Sequence, residues 1–171
     1  MAGKIQINRI TNANIYLDGN NLLGRATEIK LPDVSLIMQE HKALGKIELP
    51  AGFDKLEGEI KWNSFYQDVM RKTANPWQAV ALQCRSSIDC YNSQGKANQL
   101  ALVTHLTVMF KKNPLGTFKQ NENPEFSSAF GCTYIKQVVD GETLLELDYM
   151  ANIFRVNGVD QLSTYRNNIG G

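Results

Sequence analysis

Apolar and polar side chains alternate through most of this chain. In the segment KLEGEIKW, Leu56, Gly58, Ile60 and Trp62 fall on one face and Lys55, Glu57, Glu59 and Lys61 on the other. Successive side chains of a strand point to opposite faces, so this pattern predicts a strand with one face on a core. Leu100, Leu102, Thr104, Leu106, Val108 and Phe110 alternate in the same way through LALVTHLTVMF. Val80, Leu82, Cys84, Ile88 and Cys90 mark a further strand with a polar break at Ser86. Asp18-Gly19-Asn20 separates NIYL from LLGRA, and Asp140-Gly141 separates YIKQVV from TLLEL. Asp-Gly accommodates the positive φ of tight turns, so both sites predict hairpins. The expectation is a mainly β protein.

Three segments depart from simple alternation. Between Ser64 and Asn75 the period becomes helical, with Phe65 and Val69, and Tyr66 and Met70, four residues apart. Ser64 and Gln67 fit the S-x-x-Q capping box, and Pro76 stops the helix, so one short helix is predicted over 64–75. The segment 26–62 reads as two long extended arms, TEIKLPDVSLIMQE and KIELPAGFDKLEGEIKW, joined near Ala43-Leu44-Gly45. Pro32 and Pro50 place these arms at edges, bends or bulges. Either a neighbouring molecule covers one face of the arm, or the arms are ordinary core strands with a loose connection. After Asn152 the chain is rich in Asn and Gly, with Val159, Leu162 and Tyr165 at helical spacing. A short helix beginning near Asn157 or Gly158 is predicted, followed by a frayed Gly170-Gly171 end.

Length and composition set bounds. The 171 residues fit a single domain spanning 1–171, with no linker or internal repeat. A composition of 43% hydrophobic and 20% charged residues fits a folded domain rather than a disordered one. With 18 Lys and Arg against 17 Asp and Glu, the net charge of +1 lacks the basic excess of a dedicated nucleic-acid binder. Cys84, Cys90 and Cys132 are an odd set without close spacing. Cys84 and Cys90 on one strand lie about 20 Å apart at about 3.3 Å per residue, too far to bridge. The opening MAGKIQINRI lacks the long apolar run of a secretory signal, and no apolar stretch is long enough for a membrane helix. Folding in the cytosol with reduced thiols is expected.

Catalytic chemistry finds little support. His41 and His105 are isolated, and no CxxC, HxxH or HExxH spacing occurs; Cys84, Cys90, His105 and Cys132 form a metal site only if the fold gathers them. Glu57 with Glu59, and Glu146 with Asp148, share strand faces, where solvation explains them more simply than hydrolysis. Ser64 or Ser87 with His105 lacks a GxSxG elbow, and neither GxxxxGK[ST] nor GxGxxG is present. Trp62 and Trp77 flank the predicted helix as core or interface anchors. No enzyme activity, cofactor or metal is expected.

The run VNGVDQLSTYRNNIGG, Val156 to Gly171, closely resembles the carboxyl-terminal segment of the major tail tube protein family of contractile-tailed phages and R-type pyocins. NANIYLDGNNLLGRATEIKLP resembles that family's opening hairpin and leucine-proline strand, and IKQVVDGETLLELD its penultimate strand–turn–strand. Residues from about Asn92 to Pro124 are less distinctive.

The resemblance implies a mainly β, tail-tube-type β-sandwich or barrel with one short flanking helix and a long β-hairpin arm at 26–62. It implies a structural virion protein whose hexameric rings stack into the inner tube of a contractile tail, a conduit for the genome. Expected partners are further copies of the chain, sheath, baseplate or initiator, tape-measure and terminator proteins, with DNA passing through the lumen without specific binding. The expected location is the virion tail, assembled in the bacterial cytoplasm. Candidate interface residues are Pro32, Val34, Leu36, Met38, Ile47 and Leu49 in the arm. In the carboxyl-terminal assembly segment 152–171 they are Val159, Leu162, Tyr165 and Ile169. Glu57, Glu59 and Lys61 are candidates for the lumen or a ring-to-ring contact. The alternatives are the tube of a pyocin-like particle without DNA, a secreted type VI tube, and a monomeric β-sandwich module binding sugar or peptide.

Overall fold

The alternating apolar positions converge on one core. The structure, a computed structural model, describes residues 5–171. The reading of the opening decapeptide bears partly on residues 1–4, which lie outside the described residues. In chain order the elements are β1 (Ile7–Leu17), β2 (Asn20–Asn21), β3 (Ala26–Lys30), β4 (Leu36–Lys42), β5 (Lys46–Phe53) and β6 (Leu56–Trp62). Then follow α1 (Gln67–Thr73), β7 (Val80–Asn92), β8 (Gly95–Phe110), β9 (Phe126–Val139), β10 (Glu142–Asp148), β11 (Ile153–Val156), β12 (Val159–Asp160) and α2 (Ser163–Asn168).

One antiparallel sheet runs in the order β12-β11-β10-β9-β8-β7-β1-β2, while β6 pairs with β9 and β3 with β6. β9 is where the sheet forks. Its Phe126–Cys132 half pairs with β6 and its Tyr134–Val139 half with β10, and the register shift opposite Thr107 and Val108 leaves Thr133 unpaired between them. An extra residue bends and twists a strand. Here it lets β6 and β3 curl over the sheet, and β3 returns beside β1. The enclosed core includes Ile15, Leu17, Ile60, Trp62, Leu82, Leu106, Val108, Phe110, Phe126 and Phe130. A cross-strand row, Leu17–Leu82–Leu106–Ile135–Leu147, floors it. Trp62 is fully buried, and its indole N–H donates to Ser128 Oγ at 3.1 Å. Gly58 is closely packed: an added Cβ would lie 2.4 Å from Phe130 Cζ and 2.5 Å from the Lys30 carbonyl oxygen, so both would have to shift.

Both Asp-Gly turns form. Asp18 and Gly19 have φ of 48° and 79°, Asp140 and Gly141 49° and 84°, the left-handed pair a two-residue hairpin requires. Helix α1 buries Val69, Met70 and Thr73. Ion pairs Arg25–Asp68 and Lys72–Asp18, both 2.6 Å, fasten it to the turns after β1 and before β3. Its predicted capping box does not form. Tyr66 is the N-cap without a side-chain bond, because the Ser64 hydroxyl donates to Asn123 Oδ1 at 3.2 Å instead. The helix therefore spans 67–73 rather than 64–75.

Two further expectations need correction. The 26–62 segment is one nested hairpin, with Ala26–Lys30 against Glu59–Trp62 and Leu36–Lys42 against Lys46–Phe53, but it is not free along its length: its base strands β3 and β6 pair inside the main sheet, and only the β4–β5 end forms a separate two-stranded sheet. The terminal helix begins at Ser163, not near Asn157. Asn157 and Gly158, with φ of 50° and 80°, form a turn joining β11 to β12. Of the three helically spaced residues, only Tyr165 is helical.

The sheet extends past its core. On the same face, the rows Ile10–Ile88–Leu100 and Ser86–Leu102–Val139 continue beyond the enclosed cluster. None of these residues belongs to that cluster or to the side chains packed against it. Ile10 is 61% exposed; Ile88, Leu100, Leu102 and Val139 are half-buried.

Candidate assembly surfaces

The β4–β5 hairpin stands clear of the rest of the molecule. Every residue of β4 is exposed, as is every residue of β5 before Phe53. A bulge at Ala51 lets Pro50, which has no N–H to donate, lie opposite Met38. Register then separates two faces. Leu36, Met38, Glu40, Lys42, Lys46, Glu48 and Pro50 share one; Ile37, Gln39, His41, Ile47 and Leu49 share the other. The first is apolar at the base and charged towards the tip, where Lys46 pairs with Glu40 at 3.3 Å. The second is apolar along its length apart from Gln39 and His41. Candidate residues Leu36 and Met38 therefore lie on one face and Ile47 and Leu49 on the other, all four about half exposed. Pro32 is buried and Val34 packs on the core, so neither is open to a neighbour here.

The carboxyl-terminal segment forms a second surface. Helix α2 buries no residue, and six residues are too few to hold a helix alone. Arg166 supplies the anchor, donating to Asp160 Oδ2 at 2.5 Å and to the Asn152 carbonyl at 2.8 Å. Asp160 Oδ1 also accepts the Leu162 N–H at 3.0 Å. The Arg166 hydrogen bond holds the Asp160 carboxyl below its usual range. Val159, Tyr165 and Ile169 are more than half exposed, while Leu162 is half-buried. Leu162 lines a groove of ≈ 260 Å³ with Gly52, Phe53, Leu147, Tyr149 and Ile153. Phe53 stacks edge-on against Phe154 at 4.8 Å, and the Tyr149 hydroxyl donates to the Asp54 carbonyl. The hairpin base and the carboxyl-terminal segment thus share one footing.

Glu57, Glu59 and Lys61 lie on the outward face of β6, and their charges are largely matched locally. Glu57 meets Lys111 and, at 3.3 Å, Lys55; Lys61 pairs with Glu28 at 3.0 Å; Glu59 accepts from the Ser127 hydroxyl. Lys111 lowers the Glu57 pKa, and Glu28 raises that of Lys61. The arrangement is a hydrated lattice of paired charges.

A second polar surface was invisible to sequence reasoning. Tyr16, Gln83, His105, Lys136, Glu146, Arg155 and Asp160 line up across the sheet's outer face, each on a different strand. Arg85 lies over the Tyr16 ring at 4.7 Å, and the Gln83 amide sits 2.9 Å from His105 Nδ1. Burial, Lys136 and Arg85 lower the His105 pKa. Arg155 donates to Glu146 at 2.8 Å and the Tyr134 hydroxyl to the same carboxylate at 3.1 Å. Alternation marks each residue as outward, but only register assembles the row.

The remaining chemical candidates have structural partners. Glu146 is engaged as above, and Asp148 accepts from the N–H groups of Met150 and Ala151. Ser64 bonds Asn123, and His105 faces Gln83. Cys84, Cys90 and Cys132 are free and buried, and burial pushes the Cys132 thiol up to about 12. Among the described residues, no group of three or more His, Cys, Asp and Glu converges as a metal site. None of their helices is long and apolar enough to cross a membrane. The tryptophans divide: Trp62 is core, whereas Trp77 is 89% exposed. Exposed Ile10, Leu23, Leu115, Phe118 and Met150 carried no periodic signal that distinguished them as surface.

Comparison with known proteins agrees with this geometry. The profile of the family described as phage tail tube protein FII matches residues 7–170. The tail tube protein of Escherichia phage P2 is 27% identical over 164 residues, covering 92% of this chain and 94% of that protein. Two solved chains share the fold at 9% identity. One is from the sheath–tube complex of the extracellular contractile injection system PVC in its extended state, with a TM-score of 0.52 over 74% of this chain and 87% of that one. The other is from the sheath/tube terminator of the same system, with a TM-score of 0.51 over 74% and 92%. With nearly its whole length matched, and a β fold whose free surfaces are an uncovered hairpin and an anchored tail, the chain belongs to the phage tail tube protein FII family of structural tube proteins.

Proposed function

We propose that copies of this chain close into hexameric rings, and that the rings stack into the inner tube of a contractile tail through which a phage genome enters its host. The observation that carries the reading is the β4–β5 hairpin, which displays exposed apolar side chains that no other element among the described residues covers. An isolated two-stranded hairpin is marginal in water, and an uncovered apolar strand pair is an aggregation hazard unless a neighbour covers it. A patch meeting a different patch on the next copy closes rings or grows filaments. Leu36–Phe53 is the assembly arm, the narrower part of 26–62, and residues 152–171 supply a second contact with Val159, Tyr165 and Ile169 at its surface. Glu57, Glu59 and Lys61 lie in the lumen or between rings. Their paired charges and the near-neutral chain suit passage of DNA without tight phosphate binding. Sheath, baseplate or initiator, tape-measure and terminator proteins are the partners, in a virion tail assembled in the host cytoplasm.

Negative-stain electron microscopy of the purified protein across a concentration series tests this. Rings or hollow tubes of uniform width are expected. Dispersed monomers at every concentration, with or without tail initiator, would overturn it.

A further inference from the structure

The sheet overhang and the hairpin are complementary parts of one contact. The overhang carries Ile10, Ile88, Leu100, Leu102 and Val139 on the core-side face, outside both the core cluster and the side chains packed against it, with Ile10 61% exposed and the other four half-buried. The hairpin carries Ile37, Ile47 and Leu49 on one face, all exposed. Both are strand surfaces, and such surfaces pack face to face by interdigitating side chains. Their polar members also match. His41 is the ionisable group on the apolar hairpin face, and Glu142, directly across from Val139, is the ionisable group at the end of the Ser86–Leu102–Val139 row. A carboxylate facing an imidazole favours one register over its reverse.

We infer that the Ile37–Ile47–Leu49 face of one copy's hairpin docks on the Ile10–Leu100–Val139 overhang of a second copy. The inference rests on the self-assembly proposed above and specifies its docking partner. A second copy is the occupant because the chain's own hairpin stands exposed along its length, at a base beside Phe154 and Tyr149. The chain belongs to a tube-protein family, and the tube proposed above places identical copies side by side. Hairpin and overhang are different patches on one chain, so each copy contributes once as donor and once as acceptor, and the contact propagates.

Site-directed cross-linking tests it. Leu49→Cys protein is mixed with Ile10→Cys protein, assembled, and treated with a short bismaleimide; both positions are exposed, whereas the native cysteines are buried. A heterodimer in assembled but not dilute protein is expected, with no comparable product from Glu48→Cys on the opposite hairpin face. Tubes without the Leu49–Ile10 product, or with an equal yield from Glu48→Cys, would overturn the docking while leaving the tube reading intact. Failure of the unmodified protein to form rings or tubes would remove both. Ile10→Glu and Leu49→Lys should each raise the concentration needed for assembly by about tenfold or more through an uncompensated buried charge, and the double variant should recover it. Additive impairment in the double variant would also overturn the docking.

Discussion

Strands β5 and β6 follow one another in the chain, separated only by Asp54 and Lys55, and they have opposite fates. Both alternate: Ile47 and Leu49 with Lys46 and Glu48 in one, Ile60 and Trp62 around Lys61 in the other. In β6 the apolar positions are buried, with β3 on one side and β9 on the other. In β5 the same pattern is exposed on both faces, with β4 as its one neighbour. Alternation states that a strand has a face to bury. It does not state in which molecule the burying surface lies. Where the described residues supply no cover for a clearly apolar face, the assembly proposed above puts the missing layer on another copy.

This contrast can be broken most forcefully at Trp62. Trp62→Ala removes a fully buried indole and leaves Ser128 without its donor, so a loss of about 3–5 kcal/mol in urea unfolding is expected. A loss below about 1 kcal/mol would mean that the core tolerates the cavity by collapse. Gly58→Ala should come next, at about 1–3 kcal/mol, because its methyl must displace both the Phe130 ring and the Lys30 carbonyl. Calorimetry of that variant would show whether the β3–β6 layer is as tightly seated as its geometry states.

Acid should act locally on the tail. The Arg155 hydrogen bond lowers the folded pKa of Glu146 from its ordinary 4.5. A depressed carboxylate contributes stability in full above that ordinary value and loses it as pH falls through the lower folded value. NMR amide signals of Ile153–Asn168 should therefore shift below about pH 4.5 before the core unfolds, and Glu146→Gln should flatten the response. The smallest effect on folding belongs to the hairpin. Replacing Ile47 and Leu49 by Ser should change unfolding free energy by no more than about 0.5 kcal/mol yet abolish tubes. Replacing 36–53 with a short Gly-Ser turn should likewise leave a folded monomer. Removal of the whole 26–62 segment should not, because it deletes buried Leu56, Ile60 and Trp62.

Much of the architecture is legible in the sequence. The strands through 55–62, 80–90 and 100–110, both Asp-Gly turns and the α1 region lie where period and turn chemistry placed them. Mis-readings arose where two local signals competed or a distant partner intervened. Ser64 and Gln67 match a capping box, but Asn123, far along the chain, takes the Ser64 hydroxyl. Val159, Leu162 and Tyr165 have helical spacing, yet the Asn157-Gly158 turn and the Asp160–Arg166 pair divide them between a short strand, a helix cap and a helix. Pro32 looked like part of a free arm and is buried where β3 leaves the core.

The sequence by itself determined the strand faces, the tight turns and the absence of strong excess charge, because each follows from residues a few positions apart or from composition. The tail run that resembles tube proteins was equally local. Only the tertiary structure decided that β9 forks, that Trp62 is core and Trp77 exposed, and that β4–β5 stands free. It also decided which outward residues share a row across seven strands. These features depend on register and on contacts between residues tens of positions apart, where many pairings satisfy the same alternation and packing of the whole core selects one.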